Sequence, residues 1–196
     1  MGAAVKMIGC VGTDAFGEAL RRNLAQEGIE VQHVLQRAEA PTGVALITVN
    51  AEGQNTIVVV PGTNFCLTRA DLSAVQKGFV DADVVVLQLE TPLSTIEWAA
   101  DLAHQYGAQV VLNPAPAQPL PPALLSATDY LIPNRSELRL LTGLNTVEAA
   151  VTHLHRECGV PHLAVTLGAE GVLISDKGQQ LIASGCRPAW ALPGHR

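Results

Sequence analysis

Aromatic side chains are scarce in this chain of 196 residues, at 4%, and charged ones are few, at 15%. So few aromatics leave little for unpaired bases to stack on. Lys and Arg are scattered and the net charge is -6, so no basic face is available to a nucleic acid. Cysteines are few and far apart: Cys10, Cys66, Cys158 and Cys186 form no C-x-x-C pair. That spacing speaks against a disulfide framework and a zinc site, and reads as reduced thiols in the cytoplasm. No apolar run approaches the length of about 18 residues that a membrane span needs. No charged segment leads into an apolar stretch at the start, which predicts no signal peptide. Lys6, where a Ser or Thr is needed, speaks against myristoylation after Met1-Gly2. No Gly-Lys-Ser/Thr phosphate loop is present either. What is abundant is apolar residues, at 48%, ample for the core of one large globular domain or a piece of one.

The apolar runs alternate with turn and cap signals. Met7–Val11 predicts a buried strand closed by Gly12, and Asp14 predicts the cap of a helix over 15–27 that Gly28 stops. Gly43–Val49 and Thr56–Val60 flank a glycine-containing turn and predict a β-hairpin. Thr68 with Asp71 resembles a capping box for a helix to Lys77. Val84–Leu89 is continuously apolar, which predicts a parallel strand covered on both faces. Thr91-Pro92 opens a helix to Tyr106. Strands at Val110–Leu112, Tyr130–Ile132 and Leu163–Thr166 follow, with helices at Ser136–Thr142 and Thr146–Glu157 between the last two. A proline-rich connection precedes Tyr130, and a second hairpin spans 171–183. From Val84 onward the strand–helix alternation predicts βαβ units and a parallel sheet.

Four polar signals each follow an apolar run: Gln88-Leu89-Glu90, Asn113-Pro114-Ala115-Pro116-Ala117, Asn134-Arg135-Ser136-Glu137 and Thr166-Leu167-Gly168-Ala169-Glu170-Gly171. Ligands of open α/β sheets bind beyond the carboxyl ends of the strands, so the series suggests one cleft built from several loops. Each signal also has a plain structural reading. Thr166–Gly171 is either a tight turn or an anion-binding concavity of backbone N–H groups. Asn134 either caps the helix it precedes or, with Glu137, faces a phosphate-bound Mg²⁺. Glu90 either caps or contacts a small polar ligand such as a sugar. Gly9-Cys10-Val11-Gly12 lacks the spacing of a dinucleotide fingerprint, which disfavours an NAD-binding domain. His153 and His155, two apart on a helix, point in different directions and cannot share a metal.

Taken together and in order, these signals resemble the ribokinase family of carbohydrate kinases (the PfkB superfamily), its ribose-phosphorylating branch most closely. Val11-Gly12-Thr13-Asp14-Ala15-Phe16-Gly17 resembles the family's V-G-x-D-x-F-G. Thr42-Gly43-Val44-Ala45 and Asn50–Asn55 resemble its lid hairpin, and Pro61-Gly62-Thr63-Asn64 its G-A-N with Thr63 in place of Ala. Gln88-Leu89-Glu90, Asn113–Ala117 and Thr166-Leu167-Gly168 fit closely. The resemblance implies a three-layer αβα fold with a mostly parallel sheet and a small β-hairpin lid over about 43–60. It implies ATP-dependent transfer of the γ-phosphoryl group to a sugar, ribose to ribose 5-phosphate. It places Glu90 on the sugar, and Asn134 with Thr166, Leu167, Gly168, Ala169, Glu170 and Gly171 on ATP. Glu137 would act on Mg²⁺ through water. Lids that pair between subunits imply a homodimer, and no membrane or nucleic-acid partner is implied. Other sugar or nucleoside kinases of the superfamily, and a non-catalytic pseudokinase or dimerising remnant, are the alternatives.

The resemblance covers residues 1–185, and 186–196 reads as a tail foreign to the family. The family's G-G-K-G-A-N motif and first strand should lie upstream of Gly2. Its D-T-x-x-A-G-D motif, which supplies the anion hole, the base and part of a monovalent-cation (K⁺) site, should follow the second hairpin. Here Ser184-Gly185-Cys186-Arg187-Pro188 stands instead, and no Asp lies beyond Asp176. The expectation is a domain truncated at both ends, from an internal start and a shifted reading frame, with a catalytic residue missing and little kinase activity of its own. Uncovered sheet edges predict poor solubility.

Overall fold

The computed structural model describes residues 2–51, 53 and 55–183. The tail expected at 186–196 lies outside them, as do Glu52 and Gln54 of the first hairpin's loop. The described residues fall into two compact units. One holds the chain up to Ala82 together with Glu90–Leu102; the other holds Asp83–Leu89 and the chain from Ala103.

In the first unit, β1 (Lys6–Gly12) pairs in parallel with β2 (Glu30–Arg37), and α1 (Ala15–Gln26) connects them. Asp14 caps α1 by accepting the Gly17 N–H. Strand β2 has no counterpart in the sequence reading. Its sequence, Glu-Val-Gln-His-Val-Leu-Gln-Arg, has too many polar residues for an apolar run, yet exposed Glu30, Gln32 and Gln36 are interspersed with covered residues and Val34 is buried, as in a half-buried strand. Next come β3 (Val44–Val49) and β4 (Asn55–Val60), an antiparallel hairpin in register from Val44↔Val60 to Val49↔Asn55. A 3₁₀ turn, Gly62–Cys66, leads to α2 (Arg69–Ala74), whose capping box between Thr68 and Asp71 is complete. This helix stops three residues before the expected Lys77, and a second 3₁₀ turn, Gln76–Phe79, carries Gly78, a weak helix former. Helix α3 (Leu93–Gln105) lies in this unit up to Leu102. There the buried Thr95 hydroxyl donates to the Leu67 carbonyl (2.7 Å), and Arg69 sits 4.8 Å over the Trp98 ring.

The second unit is a six-stranded sheet. In chain order its strands are β5 (Val84–Leu87), β6 (Gln109–Leu112), β7 (Tyr130–Leu131), β8 (His162–Thr166), β9 (Val172–Asp176) and β10 (Gln179–Ala183). They lie in that same spatial order; β5 to β8 are parallel, and β9 and β10 are antiparallel. Helices α4 (Pro122–Ser126), α5 (Arg135–Thr142) and α6 (Val147–Arg156) connect them. Val110, Leu112, Leu131, Leu163 and Val165 of the inner strands are buried, as are Leu138, Val151 and Leu154 of α5 and α6. The short α4 stands inside the stretch read as a plain proline-rich connection, because Pro122 at a first helical position is compatible with a helix start. Strand β5 corrects another expectation. It ends at Leu87 rather than Leu89, and it is the sheet's edge rather than a strand covered on both faces, with Val84 and Val86 exposed at 47% and 68%. Among the described residues no helix is long and apolar enough to cross a membrane.

Candidate functional site

In the second unit two strand ends meet. A parallel bridge joins Asn134 to Thr166, and the Thr166 N–H donates to the Pro133 carbonyl (2.9 Å). The loop that opens α5 therefore runs beside the turn that leaves β8. Asn134 and Glu137 satisfy one another. The Glu137 N–H donates to Asn134 Oδ1 (2.9 Å), the Asn134 N–H to Glu137 Oε2 (2.8 Å), and Asn134 Nδ2 to Glu137 Oε1 (2.7 Å). A charged side chain is thereby held buried, 8% exposed, in the first turn of a helix whose dipole favours it. The capping reading of both residues is thus realised.

The cap does not exhaust the carboxylate. Each oxygen accepts one bond from Asn134 and has a further lone pair. Among the described residues no group of three or more His, Cys, Asp or Glu can hold a metal ion. The donor set therefore fits a Mg²⁺ that arrives on a phosphate and meets Glu137 through water, and does not fit a protein-built cage.

The turn itself is a single 3₁₀ loop, Gly168–Glu170. The N–H groups of Leu167, Glu170 and Gly171 bond within it, to Gly171, Leu167 and Gly168 respectively. Arg135, the first residue of α5, reaches across to the turn, with its Nη2 2.6 Å from Glu170 Oε2. The structure thus brings Asn134, Glu137, Thr166 and Glu170 into one place. Arg135, which tethers the turn, belongs to the Asn134–Glu137 signal but has no role in the sequence reading.

In the first unit, Glu90 is exposed and has no side-chain partner among the described residues. The better-built feature there is the root of the hairpin. Asp14 Oδ1 accepts the Gly17 N–H (2.8 Å) and the Thr42 hydroxyl (2.6 Å), while Oδ2 accepts the Thr42 N–H (2.7 Å). The Thr42 oxygen in turn accepts the Gly12 N–H (2.9 Å). These bonds, from Thr42 first, hold the Asp14 carboxyl below the usual carboxylate range. Space is as tight as the bonding. A Cβ on Gly17 would stand 2.2 Å from the Gly12 carbonyl oxygen, and one on Gly43 2.5 Å from that of Pro61. Sequence reasoning assigns Asp14 to its helix and Thr42 to the hairpin but misses the bond between them. They are 28 residues apart, and no local pattern announces a contact at that range.

The sequence profile of pfkB family carbohydrate kinases matches residues 1–190. The chain is 38% identical over 192 residues to the ribokinase of Haemophilus influenzae, covering 94% of this chain and 62% of that one. It is similar to a solved ribokinase from Thermotoga maritima, at 29% identity and a TM-score of 0.81 over 93% of this chain and 60% of the other. It is likewise similar to the structure of Arabidopsis thaliana ribokinase complexed with ribose and ATP, at 30% identity and a TM-score of 0.78, covering 92% and 61%. The chain spans 60–62% of the length of these relatives.

Proposed function

This chain belongs to the pfkB family of carbohydrate kinases, and from that premise we propose that it carries the nucleotide side and the lid of a sugar kinase that transfers the γ-phosphoryl group of ATP to D-ribose. The observation that carries the reading is the bridge between Asn134 and Thr166, which sets the glycine-containing turn after β8 beside a helix start at two parallel-strand ends. Ligands of open α/β sheets bind at that place. Asn134 and the Thr166–Gly171 turn hold the nucleotide, and Glu137 orients the water shell of Mg²⁺. When bound, Mg²⁺ neutralises phosphate charge. Glu90, free of partners among the described residues, is the sugar contact.

The hairpin serves as the lid, since phosphoryl transfer must exclude water. Seven large aliphatic residues on β3 and β4 are exposed, among them Leu46, Ile47, Ile57 and Val58. A two-stranded hairpin left bare on both faces is marginal in water. That supports a homodimer in which two lids cover each other. Cys10, Cys66 and Cys158 are free thiols, which suits the cytoplasm.

A second reading, a non-catalytic nucleotide-binding or dimerising module, is favoured by one observation: the exposed aliphatic residues of the hairpin offer an association surface that needs no turnover. Calorimetry with MgATP, together with a ribose-dependent ADP-release assay on this 196-residue chain, tests both readings. Binding with little turnover is the expected result. Absence of ATP binding overturns the nucleotide reading, and ordinary ribose-dependent turnover overturns the expected inactivity.

A further inference from the structure

A carboxylate is an odd group to find in a turn that holds phosphate. Glu170 lies in the Thr166–Gly171 turn, is exposed, and carries the same sign of charge as the ligand assigned there. Arg135 answers it from the neighbouring loop at 2.6 Å. We propose that Arg135 and Glu170 form an exchangeable latch over the nucleotide site, in which the polyphosphate takes the Arg135 guanidinium from Glu170. The inference rests on the nucleotide reading of this site and adds the residue that sets its affinity for phosphate.

Three observations support it. First, the pair is placed where the exchange needs it. Arg135 follows Asn134 directly and opens α5, while Glu170 ends the 3₁₀ loop that the Asn134–Thr166 bridge sets alongside. Second, the pair is easily opened. The two side chains are 48% and 72% exposed, and solvated ion pairs of that kind contribute little to stability. Third, the two acceptors are chemically alike. A guanidinium offers its N–H groups as a fork that fits carboxylate and phosphate oxygens equally well in shape, and phosphate brings more charge. Until nucleotide arrives, Glu170 keeps the Arg135 side chain in place and is itself neutralised. Afterwards the carboxylate is free to turn to solvent.

The latch predicts opposite effects for its two halves. Kd values are measured calorimetrically, with Mg²⁺ present, for ATP, ADP and adenosine. Arg135→Gln is expected to weaken ATP and ADP about tenfold, the scale of a lost charged hydrogen bond, and to leave adenosine unchanged. Glu170→Gln is expected to tighten ATP severalfold, because the competitor for Arg135 is gone. Arg139→Gln removes the same charge one turn further along α5 and controls for the general field; it is expected to leave the ATP-to-adenosine ratio within about twofold of wild type. Thermal melts of each variant check that folding is intact. The latch is overturned if Arg135→Gln binds ATP as wild type does, if it loses adenosine equally, if Arg139→Gln has the same effect, or if Glu170→Gln weakens ATP. A wild-type chain that binds no ATP instead removes the nucleotide reading itself, and the latch falls with it.

Discussion

Glu137 caps α5 and, in the proposed function, meets Mg²⁺ through water; a single substitution can separate the two. As a cap it needs an acceptor for the Asn134 N–H; as a water-mediated partner of Mg²⁺ it needs charge. Glu137→Gln keeps one acceptor oxygen and loses the charge. Its expected cost in denaturant unfolding is about 1 kcal/mol, for the one Asn134 donor left unpaired, whereas the Mg²⁺-dependent part of ATP affinity should largely disappear. An unchanged Mg²⁺ dependence in a titration would leave Glu137 as a cap alone. Asp14 makes a prediction of a different kind. Its folded carboxyl sits below the usual range through its bonds from Thr42, so it favours folding above the ordinary carboxylate value. That contribution is lost as pH falls from about 4 through the folded value. Asp14→Asn should therefore melt below wild type at neutral pH, with the gap closing as pH drops through that window. A gap independent of pH would rule the linkage out. The caps at Asp14, Thr68 and Asn134 are legible in the sequence because a cap and its target lie within four residues. The bonds that Thr42 donates to Asp14 are not, because only the folded chain brings the end of β1 and the start of the hairpin together.

Among the elements, those with a strong apolar period or a cap signal are readable: α1, the two hairpins, and the strands β6 to β8 with α5 and α6 between β7 and β8. Strand β2 escapes because its polar residues break the apolar run, and α4 because its prolines read as punctuation. The error at β5 is the more instructive one. The run Val84-Val85-Val86-Leu87 looks the same whether a strand is central or at an edge; only the neighbours decide how much of it is covered. The two cases differ sharply on mutation. At the edge, Val86→Lys should change stability by no more than about 0.5 kcal/mol and raise the soluble yield, since a charge on an edge strand discourages pairing between chains. In the interior, Leu112→Ala should cost about 2–5 kcal/mol, because Leu112 is fully buried. Urea unfolding of the two variants gives the comparison. A Val86→Lys loss as large as that of Leu112→Ala would mean that the edge is covered after all.

At the scale of the molecule, the exposed hairpin is where the amino-acid pattern and single-chain folding disagree most. Alternation should hide one face of a two-stranded ribbon, but β3 and β4 carry aliphatic residues on both faces, and β4 is exposed along its whole length. Apolar surface of that extent on a chain in water marks an interaction site. A second copy supplies a partner with the same pattern, as a two-fold interface requires. Ile47 and Ile57 stand opposite each other in the ladder, so they share one face of the ribbon. Replacing both by Lys makes that face polar and places like charges directly across from one another. Sedimentation over a range of concentrations should then give a dimer for the wild-type chain and a monomer for the Ile47→Lys/Ile57→Lys variant. The second unit should be undisturbed, because these residues lie in the first unit and are already solvated in the single chain. MgATP binding therefore supplies an internal control: a monomeric variant that still binds nucleotide assigns the interface to the hairpin, while a variant that remains dimeric places the contact on some other surface.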